Sequence, residues 1–121
     1  KVQEGQTLAE RFGKKFDSFA PNYTFIDGEI LEFGDIKVKV LITPGHTDGS
    51  AVFIVENMMF TGDTLLCGTY GRTDFPTGSD ENIKNSINRL FAFDGEYIVY
   101  PGHDDFTKLS HERIYNPIKY L

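Results

Sequence analysis

One short pattern occurs three times in this sequence and constrains the fold more than any other feature. Three predicted β-strands are each followed by a glycine and then by a side chain that metals favour: the pairs are Gly45-His46, Gly62-Asp63 and Gly102-His103. Strands are rigid supports, and glycine lets the backbone turn sharply and approach an ion closely. Imidazole and carboxylate groups are ligands for zinc, iron or manganese. The pattern therefore predicts three metal ligands, although each pair taken alone would be an ordinary turn.

The rest of the chain reads as a mixture of short strands and amphipathic helices. The strands that we predict are residues 23–26, 29–33, 36–42, 50–55, 58–61 and 97–100. The helices that we predict are residues 3–16, a helix starting at Ser79 with an apolar stripe of Ile83, Ile87, Leu90 and Phe91, and residues 109–115. Residues 65–78 are predicted to form a long loop. Five or six strands with two or three helices indicate an α/β layered domain.

Composition narrows the class of partner. The 121 residues carry a formal net charge of −6, which argues against nucleic acid or an anionic membrane as the main partner. The longest apolar runs are of strand length, far short of a membrane span. A single cysteine, Cys67, excludes an internal disulfide and suits a reducing compartment, so we expect a cytoplasmic protein. His111 is expected to be a surface histidine, and Cys67, which has no partner cysteine nearby, is expected to be a small loop residue and not a ligand.

Several longer motifs around the three pairs resemble those of one enzyme family. Residues 43–50 (TPGHTDGS), 60–66 (FTGDTLL) and 100–103 (YPGH) resemble the later motifs of the metallo-β-lactamase superfamily. The branch that they resemble is glyoxalase II (hydroxyacylglutathione hydrolase) with its short single-domain relatives. Residues 71–75 (GRTDF), and Glu112-Arg113 with Asn116-Pro117, strengthen that match. Asp48 stands where this branch usually has proline.

The resemblance implies a four-layer αββα sandwich, of which residues 1–121 would be the C-terminal half: one mixed sheet covered by helices. The family's His-x-His-x-Asp-His motif, which belongs to the N-terminal half, is absent from this sequence. By carry-over, His46 would bind the first metal, Asp63 would bridge both metals, and His103 would bind the second. The implied cofactors are two divalent ions, with zinc expected and iron or manganese as alternatives.

The resemblance also implies a reaction, with Asp63 as the catalytic residue that holds a metal-bridging hydroxide for attack on a small-molecule thioester. Tyr70 and Arg72 lie where relatives contact substrate, and Arg72 beside Asp74 could equally form a structural ion pair. Two alternatives stay open: a persulfide dioxygenase-like oxidoreductase with a single iron, and a non-catalytic fragment or module. The isolated chain is expected to be inactive. We expect it either to form a homodimer through the exposed face of its sheet or to be a remnant of a longer protein.

Overall fold

The computed structural model describes residues 25–103 and 105–121 of the chain. Eight strands are present in this part: β1 (Ile30–Phe33), β2 (Ile36–Ile42), β3 (Ala51–Val55), β4 (Met58–Gly62), β5 (Leu65–Leu66), β6 (Thr69–Tyr70), β7 (Ile98–Pro101) and β8 (Thr107–Lys108). Six of them form one sheet in the order β1-β2-β3-β4-β7-β8, and β5 pairs with β6 in a separate hairpin. The expected mixed sheet is confirmed, because β4 and β7 are parallel and the other pairs are antiparallel.

Two α-helices and a 3₁₀ turn complete the described part: α1 (Asp80–Phe91), α2 (Leu109–Tyr115) and the 3₁₀ turn Pro117–Tyr120. The predicted start of α1 is confirmed, since the Ser79 side chain accepts a hydrogen bond from the Asn82 amide at 3.1 Å. Two acidic residues in the first turn complement the positive end of the helix. Neither helix in this part of the chain has the length and apolar character needed to cross a membrane.

The helices cover one face of the six-stranded sheet and enclose the larger of two apolar clusters. Its sheet residues are Leu41, Val52, Ile54, Met59 and Val99, and its helical residues are Ile83, Ile87, Leu90 and Leu109. All of these are at most 7% exposed. The predicted stripe of α1 therefore faces the core, with Phe91 half-buried at its edge.

The opposite face of the sheet carries a second, smaller cluster. Val38 and Val55 are buried there, and half-buried residues pack around them: Phe25, Leu31, Phe53, Met58 and Phe60. The stacked rings of Phe60 and Tyr100 extend this apolar surface toward β7. The expectation that two copies pair through this face stays a prediction.

Three sequence-based expectations need correction or fall outside the described residues. Residues 65–78 were expected to be a loop, but they begin with the β5–β6 hairpin, and β8 was not expected at all. Both cases involve strands of two residues. Such a strand is defined by its pairing with another strand, and it is too short to show a periodic pattern in the sequence. The predicted helix at residues 3–16 lies outside the described residues. Of the predicted strand 23–26, residues 23 and 24 also lie outside them, and residues 25 and 26 are not part of a strand.

The direction of the strands explains why the three Gly-ligand pairs meet. β2 and β4 run in the same direction because each is antiparallel to β3, and β7 is parallel to β4. The carboxyl ends of all three strands therefore lie at one edge of the sheet. His46, Asp63 and His103 follow these ends, so the topology delivers all three to the same place.

Candidate metal centre

The carboxylate of Asp63 lies between two histidines. Its Oδ2 atom is 3.5 Å from Nε2 of His46, and its Oδ1 atom is 2.9 Å from Nδ1 of His103. The Asp63 and His103 side chains are partly open to solvent, whereas that of His46 is only 19% exposed. Each histidine thus faces a different oxygen of one carboxylate, which is the arrangement expected of a carboxylate shared between two ions.

The backbone carbonyl of Arg72 fixes the orientation of the His46 ring. Nδ1 of His46 lies 2.8 Å from this oxygen, which can only accept a hydrogen bond, so Nδ1 carries the proton. In the form of the ring that can bind a metal, Nε2 then presents its lone pair to Oδ2 of Asp63. Two electron-rich atoms facing each other repel unless a cation or a proton lies between them. The geometry around His46 therefore fits a metal ion at Nε2.

The carboxylate of Asp63 gives a second indication that this site fits a metal ion. Oδ1 is buried and takes part in no hydrogen bond, even though His103 is close to it, and buried polar atoms are normally satisfied. Ligand atoms held by one tetrahedral zinc lie about 3.3–3.6 Å apart, given zinc–ligand bonds of about 2.0–2.2 Å. The separation of 3.5 Å between His46 and Asp63 lies in this range, whereas that of 2.9 Å between His103 and Asp63 is shorter and would have to widen around an ion. By donor type, and at the His46 side by distance, the residues present thus fit divalent metal ions.

No three His, Cys, Asp or Glu side chains in residues 25–103 and 105–121 converge as a closed cage for a single ion. The described part instead offers two ligand pairs, His46 with Asp63 and His103 with Asp63. A structural zinc takes four protein ligands and a catalytic zinc takes three. Each ion would therefore need further ligands besides these pairs, as the sequence predicted for half of a site.

Two glycines let the backbone pack tightly around these ligands. A Cβ on Gly71 would lie 1.8 Å from the carbonyl oxygen of Asp63 and 3.1 Å from Nδ1 of His46, so only glycine fits here. Gly45 has a φ of +146°, and a Cβ there would lie 2.4 Å from the backbone of Ile83 in α1. The loop that carries His46 is therefore pressed against the helix on one side and against the Gly71 segment on the other.

The Arg72 side chain makes the structural contacts that were the alternative to substrate binding. Its Nε and Nη2 atoms donate to the two carboxylate oxygens of Asp74 at 3.0 and 3.2 Å. This hydrogen-bonded pair lowers the pKa of Asp74 and raises that of Arg72. The guanidinium also lies over the Phe75 ring, whose plane meets the His46 ring edge-on at 5.0 Å between centroids. The segment thus forms one wall beside His46.

Other predicted residues take the following places. Tyr70 is half-buried in β6 and packs against the larger apolar cluster, so contact with a substrate stays a prediction for it as for Arg72. Cys67 is exposed at the tip of the β5–β6 hairpin, and His111 is exposed on α2 beside Tyr115. The carbonyl of Arg72 was missed, because a backbone acceptor leaves no signature in side-chain identity.

Comparison of this sequence with known families and proteins finds one matching superfamily and several similar proteins. The profile of the metallo-β-lactamase superfamily matches residues 2–103. The hydroxyacylglutathione hydrolase GloC of Haemophilus influenzae is 39% identical over 114 residues, covering 90% of this chain and 54% of that protein. The mitochondrial persulfide dioxygenase ETHE1 of Bos taurus is 36% identical over 98 residues, covering 75% of this chain and 39% of that protein.

A solved structure supports the same fold. The crystal structure of ETHE1 from Myxococcus xanthus superposes with a TM-score of 0.75 at 39% identity, covering 79% of this chain and 45% of that one. The chain thus spans about half the length of the relatives that it matches.

Proposed function

The chain belongs to the metallo-β-lactamase superfamily, and from this premise we propose that it supplies His46, Asp63 and His103 to a two-metal site that hydrolyses thioesters, as in glyoxalase II. The observation that carries the proposal is the position of Asp63, whose two oxygens face two different histidines. Members of this superfamily bind metal ions. The parent protein would need the metal ligands of its other half, and the chain alone would be inactive.

The two ions, with zinc favoured by the imidazole and carboxylate donors, would supply a water acidified to near-neutral pKa and Lewis-acid polarisation of the thioester carbonyl. The residues of this chain do the positioning. Asp63 presents one oxygen to each side and so sets the spacing between the two ligand pairs. His46 is held in one tautomer by the Arg72 carbonyl, which keeps Nε2 available. His103 is the more exposed histidine and marks the open side, where a substrate would enter.

Persulfide dioxygenation with a single iron is the second candidate, supported by the similarity to ETHE1. In that case His46 and Asp63 would be ligands and His103 would not. The 2.9 Å contact between His103 and Oδ1 of Asp63 fits both candidates, since a histidine outside the metal sphere can hydrogen-bond a ligand carboxylate. Metal content and dioxygen consumption therefore have to decide between them. A non-catalytic fragment is the third candidate, and the isolated chain would behave as one.

Metal content and substrate turnover in the full-length protein distinguish these candidates. We expect close to two ions per chain and hydrolysis of a glutathione thioester without dioxygen consumption. One iron per chain with dioxygen consumed in the presence of a persulfide would establish the dioxygenase and refute our proposal. For the isolated chain, elemental analysis after purification without chelators should find almost no metal, since each ion keeps only two ligands.

A further inference from the structure

Glu112 is a fully buried carboxylate that the proposed reaction does not use. It lies in α2 with 0% of its surface exposed. A buried charge is costly unless hydrogen bonds replace the lost water. Three groups provide them: the Gly68 amide lies 3.2 Å from both oxygens, Thr107 Oγ1 donates to Oε2 at 2.8 Å, and Asn116 Nδ2 donates to Oε1 at 2.7 Å.

These hydrogen bonds tie α2 to the tip of the β5–β6 hairpin. Gly68 is in the hairpin turn with a φ of +76°. Asn116, whose amide is held by Glu112, also donates to the carbonyl of Thr69 at 3.0 Å. One buried hydrogen-bond network, centred on Glu112, therefore holds the turn at two adjacent residues, Gly68 and Thr69.

The other end of the same hairpin is the metal centre. β5 begins two residues after Asp63, and β6 ends two residues before Arg72. The Gly71 amide bonds to the Thr64 carbonyl at 3.3 Å and closes the base of the hairpin against the backbone of Asp63. Any tilt of the hairpin would move the Arg72 carbonyl away from His46, because only Gly71 separates this carbonyl from β6.

We propose that Glu112 is a positioning residue for His46: its buried carboxylate holds the hairpin at the tip, so that the Arg72 carbonyl at the base keeps Nδ1 of His46 protonated and Nε2 aimed at Asp63. The proposal rests on the proposed function for its consequence, metal binding, but the tautomer of His46 can be measured without any metal. Glu112 touches neither the histidine nor the carboxylate of Asp63, so its effect must travel through the hairpin.

The test uses Glu112→Gln in the 121-residue chain. Gln keeps the size of the side chain but places an NH₂ group against donors, which turns at least one of these hydrogen bonds into a repulsion. The readout is the ¹⁵N chemical shifts of the His46 imidazole in metal-free protein, which distinguish the two tautomers. The chain has only three histidines, so assignment is direct.

The matched control is Glu96→Gln, the same chemical change at a glutamate that contacts the N-terminal end of α2. Glu96 accepts hydrogen bonds from the amide and hydroxyl of Ser110 at 3.0 and 2.5 Å and so caps the start of that helix. It has no bond to the hairpin in the described part of the chain. Glu96→Gln should lower stability while leaving the His46 tautomer unchanged. Thr107→Val, which removes a single donor, provides a milder variant if Glu112→Gln does not fold.

We expect wild-type His46 to be protonated at Nδ1 and Glu112→Gln to shift it to a mixture of tautomers. In the full-length protein, a titration with Zn²⁺ should show binding about tenfold weaker in the variant than in wild type. A variant that loses stability but keeps the wild-type tautomer and Zn²⁺ affinity would make Glu112 purely structural and overturn the proposal. If the 121-residue chain shows the expected tautomer and Glu112→Gln changes it, but the full-length wild type binds no Zn²⁺, the proposed metal function fails while the positioning role stands.

Discussion

Two carboxylates, Asp63 and Glu112, lie at opposite ends of the β5–β6 hairpin and differ in how their charge is satisfied. Glu112 is completely buried, and both of its oxygens accept hydrogen bonds from groups of its own chain. Asp63 is 42% exposed, faces two histidines, and keeps one buried oxygen outside any hydrogen bond. A carboxylate with a full set of donors serves the fold. Under the proposed function, the oxygen of Asp63 that lacks a donor is the one that would bind a cation.

Removal of the Asp63 carboxylate should produce the largest effect. Asp63→Ala in the full-length protein should reduce thioester hydrolysis by at least about 100-fold, because both ions lose a shared ligand. The measurement is kcat/KM with metal content determined on the same sample. Asp48→Ala, an exposed aspartate two residues after His46, is the matched control and should stay near wild type. Near-normal turnover in Asp63→Ala would refute the assignment of the site.

Stability should rank the two carboxylates in the opposite order. Glu112→Ala should lower the free energy of unfolding by about 2 kcal/mol, since buried donors lose their acceptor. Asp63→Ala in metal-free protein should change it by less than about 1 kcal/mol, because Asp63 is partly exposed and its contacts with His46 and His103 are screened by solvent. Denaturant unfolding of both variants in chelator measures this. Equal losses in the two variants would remove the distinction between a structural and a metal-binding carboxylate.

Gly71 tests the tight base of the hairpin. Gly71→Ala should cost about 1–2 kcal/mol, because its Cβ meets a backbone oxygen that cannot rotate away. Gly49→Ala is the matched control: nothing lies within 4 Å of a Cβ at that position. Thermal unfolding should separate the two variants, with only the first shifted downward. A neutral Gly71→Ala would mean that the hairpin can move without penalty, contrary to the role given to Glu112.

The smallest expected effect concerns Asp27, a surface carboxylate that accepts hydrogen bonds from its own chain. Hydrogen bonds from Arg89 and from the amide of Ile42 lower the pKa of Asp27 below its usual 3.8. A lowered pKa in the folded state means that Asp27 contributes stability above about pH 4 and loses it as the pH falls further. Asp27→Asn should therefore narrow the stability difference between pH 6 and pH 3, whereas Asp35→Asn should not. An unchanged pH profile in Asp27→Asn would contradict this ion pair.

Much of this arrangement could be predicted from the sequence. Strand periodicity and the Ser79 cap located β2, β3, β4, β7 and α1 to within one or two residues, because these signals are local. The three Gly-ligand pairs identified the residues that the sheet brings together, although their role as ligands stays a prediction. Local signals could not identify the β5–β6 hairpin, since a two-residue strand exists only through its partner.

The burial of Glu112 escaped prediction for a similar reason, although Glu112 and Asn116 are among the residues on which the family resemblance rests. Glu112 sits in a seven-residue helix among Ser, His and Arg, where a glutamate is normally exposed. Its burial depends on donors that come from residues 68, 107 and 116, and only the folded chain brings them together. The carbonyl of Arg72 is invisible to sequence analysis because every residue has one.

The parallel pairing of β4 with β7 has a consequence for the order of folding. Asp63 and His103 are 40 positions apart in the sequence, and the intervening segment must form α1 and return before the two strands can pair. β2, β3 and β4 are joined by short connections, so His46 and Asp63 can meet early, while His103 arrives only after a long loop has closed. We therefore expect the His103 side of the centre to assemble last during refolding. A nascent chain that stops before β7 would contain His46 and Asp63 but not His103. Metal binding on the His103 side would therefore indicate that the sheet is complete.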